Sequence, residues 1–102
     1  MKIISWNVNG IRACHRKGEF LKLIEVHQPD FLCVQETKAW PEQLDEDLLT
    51  DHGYHVTWAK AEKKGYSGVA TFARQAPDGS TIGFGIEQFD REGRVVITEV
   101  GS

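Results

Sequence analysis

The sequence predicts an α/β fold, and three features carry that expectation. Lys2 to Trp6 alternates apolar and polar residues as a strand does, and Phe31-Leu32-Cys33-Val34 is a short, almost wholly apolar run. Between them lies a connection of roughly 20 residues with helical periodicity, the length a right-handed parallel crossover needs. Beyond Gly53 the chain turns to short strand-like runs separated by turn residues.

Taken in order, the first strand ends where Asn7-Val8-Asn9-Gly10 introduces residues that favour turns and left-handed backbone, and a loop is expected to follow. A helix is predicted from about Gly18 to Gln28, with Phe20, Leu21, Leu23 and Ile24 on one side and Lys22, Glu25 and Gln28 on the other. Pro29 closes it. Phe31 to Val34 reads as a strand buried on both faces. Trp40-Pro41 opens a second predicted helix to about Thr50, with proline at a tolerated first-turn position, acids toward its positive end, and Gly53 as its stop. Further strands are expected at Tyr54 to Ala59 and Gly68 to Arg74. A hairpin is expected from Ile82 to Phe89 and Arg94 to Val100 through Asp90-Arg91-Glu92-Gly93. The charged turn reads as solvated structure, and Gly101-Ser102, falling directly after a strand with no closing helix, reads as a truncation.

With 102 residues, 40% of them hydrophobic and 26% charged, the chain has room for one small domain. A domain of this size hides only about 65% of its unfolded surface, so cover from a partner is expected to contribute to stability. The net charge of -3 does not announce a nucleic-acid partner. Its distribution is uneven: acids gather at Glu42, Asp45, Glu46, Asp47 and Asp51, bases at Arg12, His15, Arg16, Lys17 and at Lys60, Lys63, Lys64, which on composition alone are two solvated faces. Cys14 and Cys33 show no ligand spacing and read as free thiols, Cys33 in the core and Cys14 among bases that would lower its pKa. No histidine of His15, His27, His52 and His55 sits in a ligand or triad pattern. The opening residues carry no leader pattern, and the apolar runs fall far short of the roughly 18 to 20 residues of a membrane span, so a cytoplasmic location without a membrane partner is expected.

A parallel crossover puts the carboxyl ends of its two strands on one sheet edge, where Asn7, Asn9 and Glu36 would converge. A carboxylate beside amide carbonyls offers hard oxygen ligands of the kind Mg²⁺ accepts while keeping waters for phosphate oxygens. On this pattern alone, a solvated or ladder-capping Glu36 is the commoner role.

The blocks Ser5-Trp6-Asn7-Val8-Asn9-Gly10-Ile11-Arg12, Val34-Gln35-Glu36-Thr37-Lys38 and Gly65-Tyr66-Ser67-Gly68-Val69-Ala70 occur together and in order. Phe89-Asp90-Arg91-Glu92-Gly93-Arg94-Val95-Val96 supplies a fourth. In combination they resemble the exonuclease III family of abasic-site endonucleases. The resemblance implies a DNase I-like four-layer α/β sandwich, of which residues 1–102 would be the amino-terminal half: the first sheet and its flanking helices, truncated. It implies a Mg²⁺-dependent DNA phosphodiesterase of base-excision repair, with Mn²⁺ as the alternative ion and both 3′-5′ exonuclease and abasic-site endonuclease action. Asn7 and Glu36 would be catalytic, and Glu36, Asn7 and Asn9 would hold the metal. Some relatives have aspartate at the position of Asn9, so the site here keeps an oxygen and lacks a charge. Arg12, Arg16, Lys17, Gly65 and Tyr66 would face double-stranded DNA bearing abasic sites or 3′ ends.

The family's later blocks, a tyrosine, an Asp-x-Asn pair and an Asp-His pair, are absent from these residues. The chain alone is therefore expected to be nearly inactive, and the open inner face of its sheet to self-associate or await the carboxy-terminal half. Phosphoinositide phosphatases, sphingomyelinases and secreted DNases share the Trp-Asn and Gln-Glu blocks. The Gly65 to Ala70 block, preceded by Lys63 and Lys64, looks like the DNA-repair branch. The alternatives are a superfamily phosphodiesterase with another substrate and a non-catalytic relative that binds DNA or a partner.

Overall fold

A computed structural model describes residues 2–44, 53–63, 65–76, 78–82 and 96–99. Its elements are β1 (Ile3–Asn7), α1 (Ile11–Arg16), α2 (Glu19–His27), β2 (Phe31–Gln35), a 3₁₀ turn (Pro41–Gln43), β3 (His55–Ala59), β4 (Val69–Ala73), β5 (Gly79–Ile82) and β6 (Val96–Glu99). Four strands form one sheet in the order β1-β2-β4-β3, and β5 and β6 pair separately. β1 and β2 are parallel, joined by the helical crossover, whereas β4 runs antiparallel to both of its neighbours. The class is the α/β one that the strand-helix-strand pattern predicts.

Pleating divides the sheet into two faces. Ile4 and Trp6 of β1, Leu32 and Val34 of β2, Ala70 and Phe72 of β4, and Val56 and Trp58 of β3 line one face and pack with Ile11, Cys14, Phe20 and Ile24 of the helices. Phe20 is the centre of this layer. Its ring stacks on Trp6 at 6.1 Å and meets Phe72 at 5.2 Å, with Trp58 edge-on to Phe72 at 6.4 Å. On the opposite face Thr71 and Ala73 of β4 are buried, while Ile3 of the edge strand β1 is 64% exposed. Among the described residues the β5–β6 pair packs against β3 and β4. β2 is accordingly covered on one face and only partly on the other, a correction to the doubly buried strand predicted from its apolar run. Cys33 lies on this partly open face, not in the core.

The α2 helix matches its prediction closely. Gly18 starts it in left-handed backbone at φ 77, and Gln28 ends it at φ 44 with its N–H on the Ile24 carbonyl. Pro29 is then fixed beneath Tyr54, whose hydroxyl donates to the Pro29 carbonyl at 2.7 Å.

Three further expectations fail. The segment after Gly10 is the helix α1 and not a loop. Its apolar signature is only Ile11 and Cys14, one turn apart, too short for periodicity to register; burial of both against the core stabilises it. Burial raises the Cys14 thiol pKa, Glu19 adds to the rise, and Lys17 opposes it only in part, so the lowering expected from the surrounding bases is overturned. The segment from Trp40 makes a 3₁₀ turn rather than starting a continuous helix, since Leu44 is extended at φ -109 and ψ 155. Side-chain anchors outcompete helical pairing there: Gln43 Oε1 accepts the Trp40 backbone N–H at 2.8 Å, and the Trp40 indole donates to the Ala61 carbonyl at 2.7 Å. The rest of that predicted helix, the acids from Asp45 to Asp51, His52, Lys64, the hairpin turn with the Phe89 to Val96 block up to Val95, and Gly101-Ser102 lie outside the described residues.

No described helix is long and apolar enough to cross a membrane.

Candidate active site

The parallel pairing of β1 and β2 sets Asn7 opposite Gln35 at the carboxyl ends of the two strands. Backbone pairing then continues past the strands: Val8 N–H reaches the Gln35 carbonyl, Gly10 N–H the Glu36 carbonyl and Ile11 N–H the Thr37 carbonyl, at 3.0, 2.8 and 2.9 Å. The two loops therefore leave the sheet zipped together, and their side chains converge. The Asn7 amide donates to Glu36 Oε2. Asn7 Oδ1 accepts the Asn9 backbone N–H at 2.9 Å, which fixes the turn by an Asx-type contact. Lys38 completes the cluster, donating to Asn9 Oδ1 at 2.6 Å and lying 3.8 Å from Glu36 Oε1. The structure thus brings together Asn7, Asn9 and Glu36, as the crossover argument expects.

Backbone strain marks the same place. Five described residues other than glycine have positive φ, and four of them, Asn9, Glu36, Lys38 and Ser67, at φ 46, 54, 53 and 50, lie in these loops. Such conformations cost about 1 kcal/mol or more each, so surrounding contacts must hold them. Glu36 and Lys38 show no sequence signal for this, because neither residue type favours the left-handed region.

A cavity of about 520 Å³ opens over the cluster, lined by Asn7, Gln35, Glu36, Lys38, Gly65, Tyr66 and Ser67. Gly65, at φ 76, turns the chain here. Tyr66 is 42% exposed beside it. Its ring is 5.8 Å from the Lys63 ammonium, a cationic and aromatic edge beside the cavity.

The bases of α1 lie apart from this cavity. Arg12 and Arg16 line a separate one of about 430 Å³ with His15, Gln43 and Leu44. The Arg12 side chain bridges toward the cluster, donating from Nη2 to the Lys38 backbone carbonyl at 3.3 Å. Lys17 is exposed at the C-cap of α1.

Sequence reasoning assigned no role to Lys38, Gln35 or Ser67, although all three fall inside the quoted blocks. Their signal was position next to assigned residues, not residue type.

The site is thus an oxygen-rich cluster at the carboxyl edge of a parallel pair, under a cavity with an aromatic rim. The chain belongs to the endonuclease/exonuclease/phosphatase family, whose model matches residues 4–102. It is similar to the exodeoxyribonuclease of Bacillus subtilis, 48% identical over 97% of this chain and 38% of that protein. It is similar also to the DNA-(apurinic or apyrimidinic site) endonuclease of Dictyostelium discoideum, 40% identical over 97% of this chain and 27% of that one. Among solved structures, a 3′ phosphatase from Neisseria bound to a product DNA hairpin superposes with a TM-score of 0.83 at 30% identity, over 98% of this chain and 37% of that one. The exonuclease III and abasic-site endonuclease branch is therefore the part of the family to which the chain is similar, with its DNase I-like fold and its hydrolase class. The chain spans less than two fifths of the length of these relatives.

Proposed function

We propose that this chain is the amino-terminal part of a DNA phosphodiesterase of the exonuclease III type, acting at abasic sites and 3′ ends of duplex DNA. The observation that carries the reading is the convergence of Asn7, Asn9, Glu36 and Lys38 at one sheet edge, next to Gly65 and Tyr66.

The donor chemistry fits a small hard cation. Glu36 supplies one carboxylate and Asn7 and Asn9 supply amide oxygens, all hard ligands, and among the described residues no thiolate or imidazole lines the cavity. The Lys38 ammonium, seated between Asn9 Oδ1 and Glu36, supports this reading, because the same oxygens hold a positive charge. No group of three or more histidine, cysteine, aspartate or glutamate side chains among the described residues could hold a metal, so waters, phosphate oxygens and further protein would complete the coordination. Mg²⁺, or Mn²⁺ in its place, bound there would supply Lewis-acid stabilisation of the phosphate.

The chain's own residues have definable tasks. Glu36 gives the negative charge, and Asn7 orients it by donating to Oε2. Lys38 offers an ammonium to a phosphate oxygen at the cavity wall. Tyr66 and Gly65 form a rim against which a nucleotide can rest, and Arg12, Arg16 and Lys17 lie where backbone phosphates would continue along the duplex. The base that activates water is assigned in this reading to the carboxy-terminal part of the protein. Action on DNA inside a cell fits a cytoplasmic location.

The test is cleavage of a labelled abasic duplex in Mg²⁺ by this chain alone and by the full-length protein. Cleavage is expected from the full-length protein only. Robust cleavage by the chain alone would refute the half-enzyme reading, and cleavage by neither would favour a non-catalytic binder or another phosphodiester substrate. A second expected result concerns binding: Arg12→Ala should weaken duplex affinity regardless of sequence and lower the salt slope by about one unit. An unchanged slope in a salt titration of duplex binding would remove Arg12 from the phosphate path.

A further inference from the structure

Among the described glycines, Gly68 is the one whose missing β-carbon matters to another side chain. A β-carbon built there would overlap Thr37 Oγ1, whereas one at Gly10, Gly18, Gly53, Gly65 or Gly79 would meet nothing within 4 Å. Thr37 is fully buried and its hydroxyl has no hydrogen-bond partner, so Oγ1 acts by occupying space rather than by bonding. The same two residues are tied through their backbones, Thr37 N–H to the Gly68 carbonyl at 3.1 Å and Lys38 N–H to the Ser67 carbonyl at 2.7 Å.

Thr37 lies between the two strained residues that hold the cluster, Glu36 at φ 54 and Lys38 at φ 53. One side of this segment is tied by Gly10 and Ile11, the other by Ser67 and Gly68. Were the Ser67–Gly68 strap displaced, the left-handed backbone at 36 and 38 would lose half its support and relax toward favoured conformations, swinging both side chains away from Asn7 and Asn9. Gly68, itself at φ 92, lets the strap close onto Thr37.

We propose that Gly68 and Thr37 are a positioning pair whose fit, a hydroxyl filling the space a β-carbon would take, holds Glu36 and Lys38 in the geometry of the cluster. This rests on the reading of that cluster as the cation site, and neither residue touches the reacting atoms.

The pair is tested by Mn²⁺ affinity of the full-length protein, from the free-ion signal in electron paramagnetic resonance, with metal-free duplex binding measured alongside. Gly68→Ala drives the strap off Thr37 and Thr37→Ala leaves a gap beneath it, so each is expected to weaken Mn²⁺ binding by about 10- to 100-fold, as loss of supporting contacts around a metal typically does. Duplex binding without metal should stay close to wild type. In the double variant the new methyl at 68 takes the vacated space, facing Thr37 Cβ at an ordinary 3.6 Å. It should regain most of the affinity, falling short only by the strain of alanine at φ 92. A structural role alone would give additive losses; recovery in the double variant is the signature of the pair. Wild-type Mn²⁺ affinity in either folded single variant, or a double variant no better than Thr37→Ala, overturns the proposal. If Gly68→Ala does not fold, the comparison of Thr37→Ala with the double variant decides alone. Glu36→Gln separates the two levels: if it binds Mn²⁺ as wild type does, the cation-site reading fails and the positioning role with it, whereas loss in Glu36→Gln with none in Thr37→Ala sinks only the pair.

Discussion

Glu36→Gln in the full-length protein is expected to cut cleavage of an abasic duplex by about two to three orders of magnitude while duplex affinity changes less than about threefold. Glutamine preserves the shape of the side chain and an oxygen that can accept from Asn7, so the fold and the cavity should survive. What it removes is charge. Glu36 is the carboxylate of a cluster whose other members are two neutral amides and the Lys38 ammonium. Without it the cluster carries net positive charge and repels the divalent ion it is proposed to hold. Binding to the duplex should persist because Arg12 and Arg16 line a different cavity. Single-turnover cleavage and a metal-free binding isotherm are the two measurements, and cleavage at the wild-type rate would take Glu36 out of the site.

Phe20→Ala is expected to be the most damaging core change, costing about 3 to 5 kcal/mol. Phe20 is fully buried between the helices and the sheet, and its ring contacts Trp6 of β1 and Phe72 of β4. Truncation would leave a cavity bordered by two rigid aromatic rings, which cannot collapse into it easily. Against a total stability of about 5 to 15 kcal/mol for a domain, that is a large share. Because Trp6 immediately precedes Asn7, loosening of this layer should reach the sheet edge that carries the cluster. Urea denaturation of the full-length protein checks it; a loss below about 1 kcal/mol would mean that the α2 face is not the centre of this core.

The contrast between α1 and α2 shows what local pattern can and cannot convey. In α2, Phe20, Leu21, Leu23 and Ile24 recur at helical spacing between Gly18 and Pro29, so periodicity and the two stop signals locate it without any knowledge of the rest. In α1 the apolar pair Ile11 and Cys14 is a helix only because the core is there to receive it. The same holds after Trp40, where the proline and acids that favour a helix meet two side-chain anchors that impose a 3₁₀ turn and an extended Leu44.

By itself, the sequence determined the strand-helix-strand crossover, and with it the parallel pairing that sends Asn7, Asn9 and Glu36 to one edge, because strand alternation, helical spacing and connection length are all written locally. Its blocks also pointed to the family. Only the tertiary structure decided that β4 inserts between β2 and β3, that Lys38 closes the cluster, that the α1 bases occupy a cavity of their own, and that Thr37 fills the space beside Gly68. These depend on residues distant in sequence meeting across loops, as Asn9 and Lys38, 29 positions apart, do. Left-handed backbone at Glu36 and Lys38 is likewise imposed from outside, by hydrogen bonds from Gly10 and to Ser67, against the preference of the residues themselves.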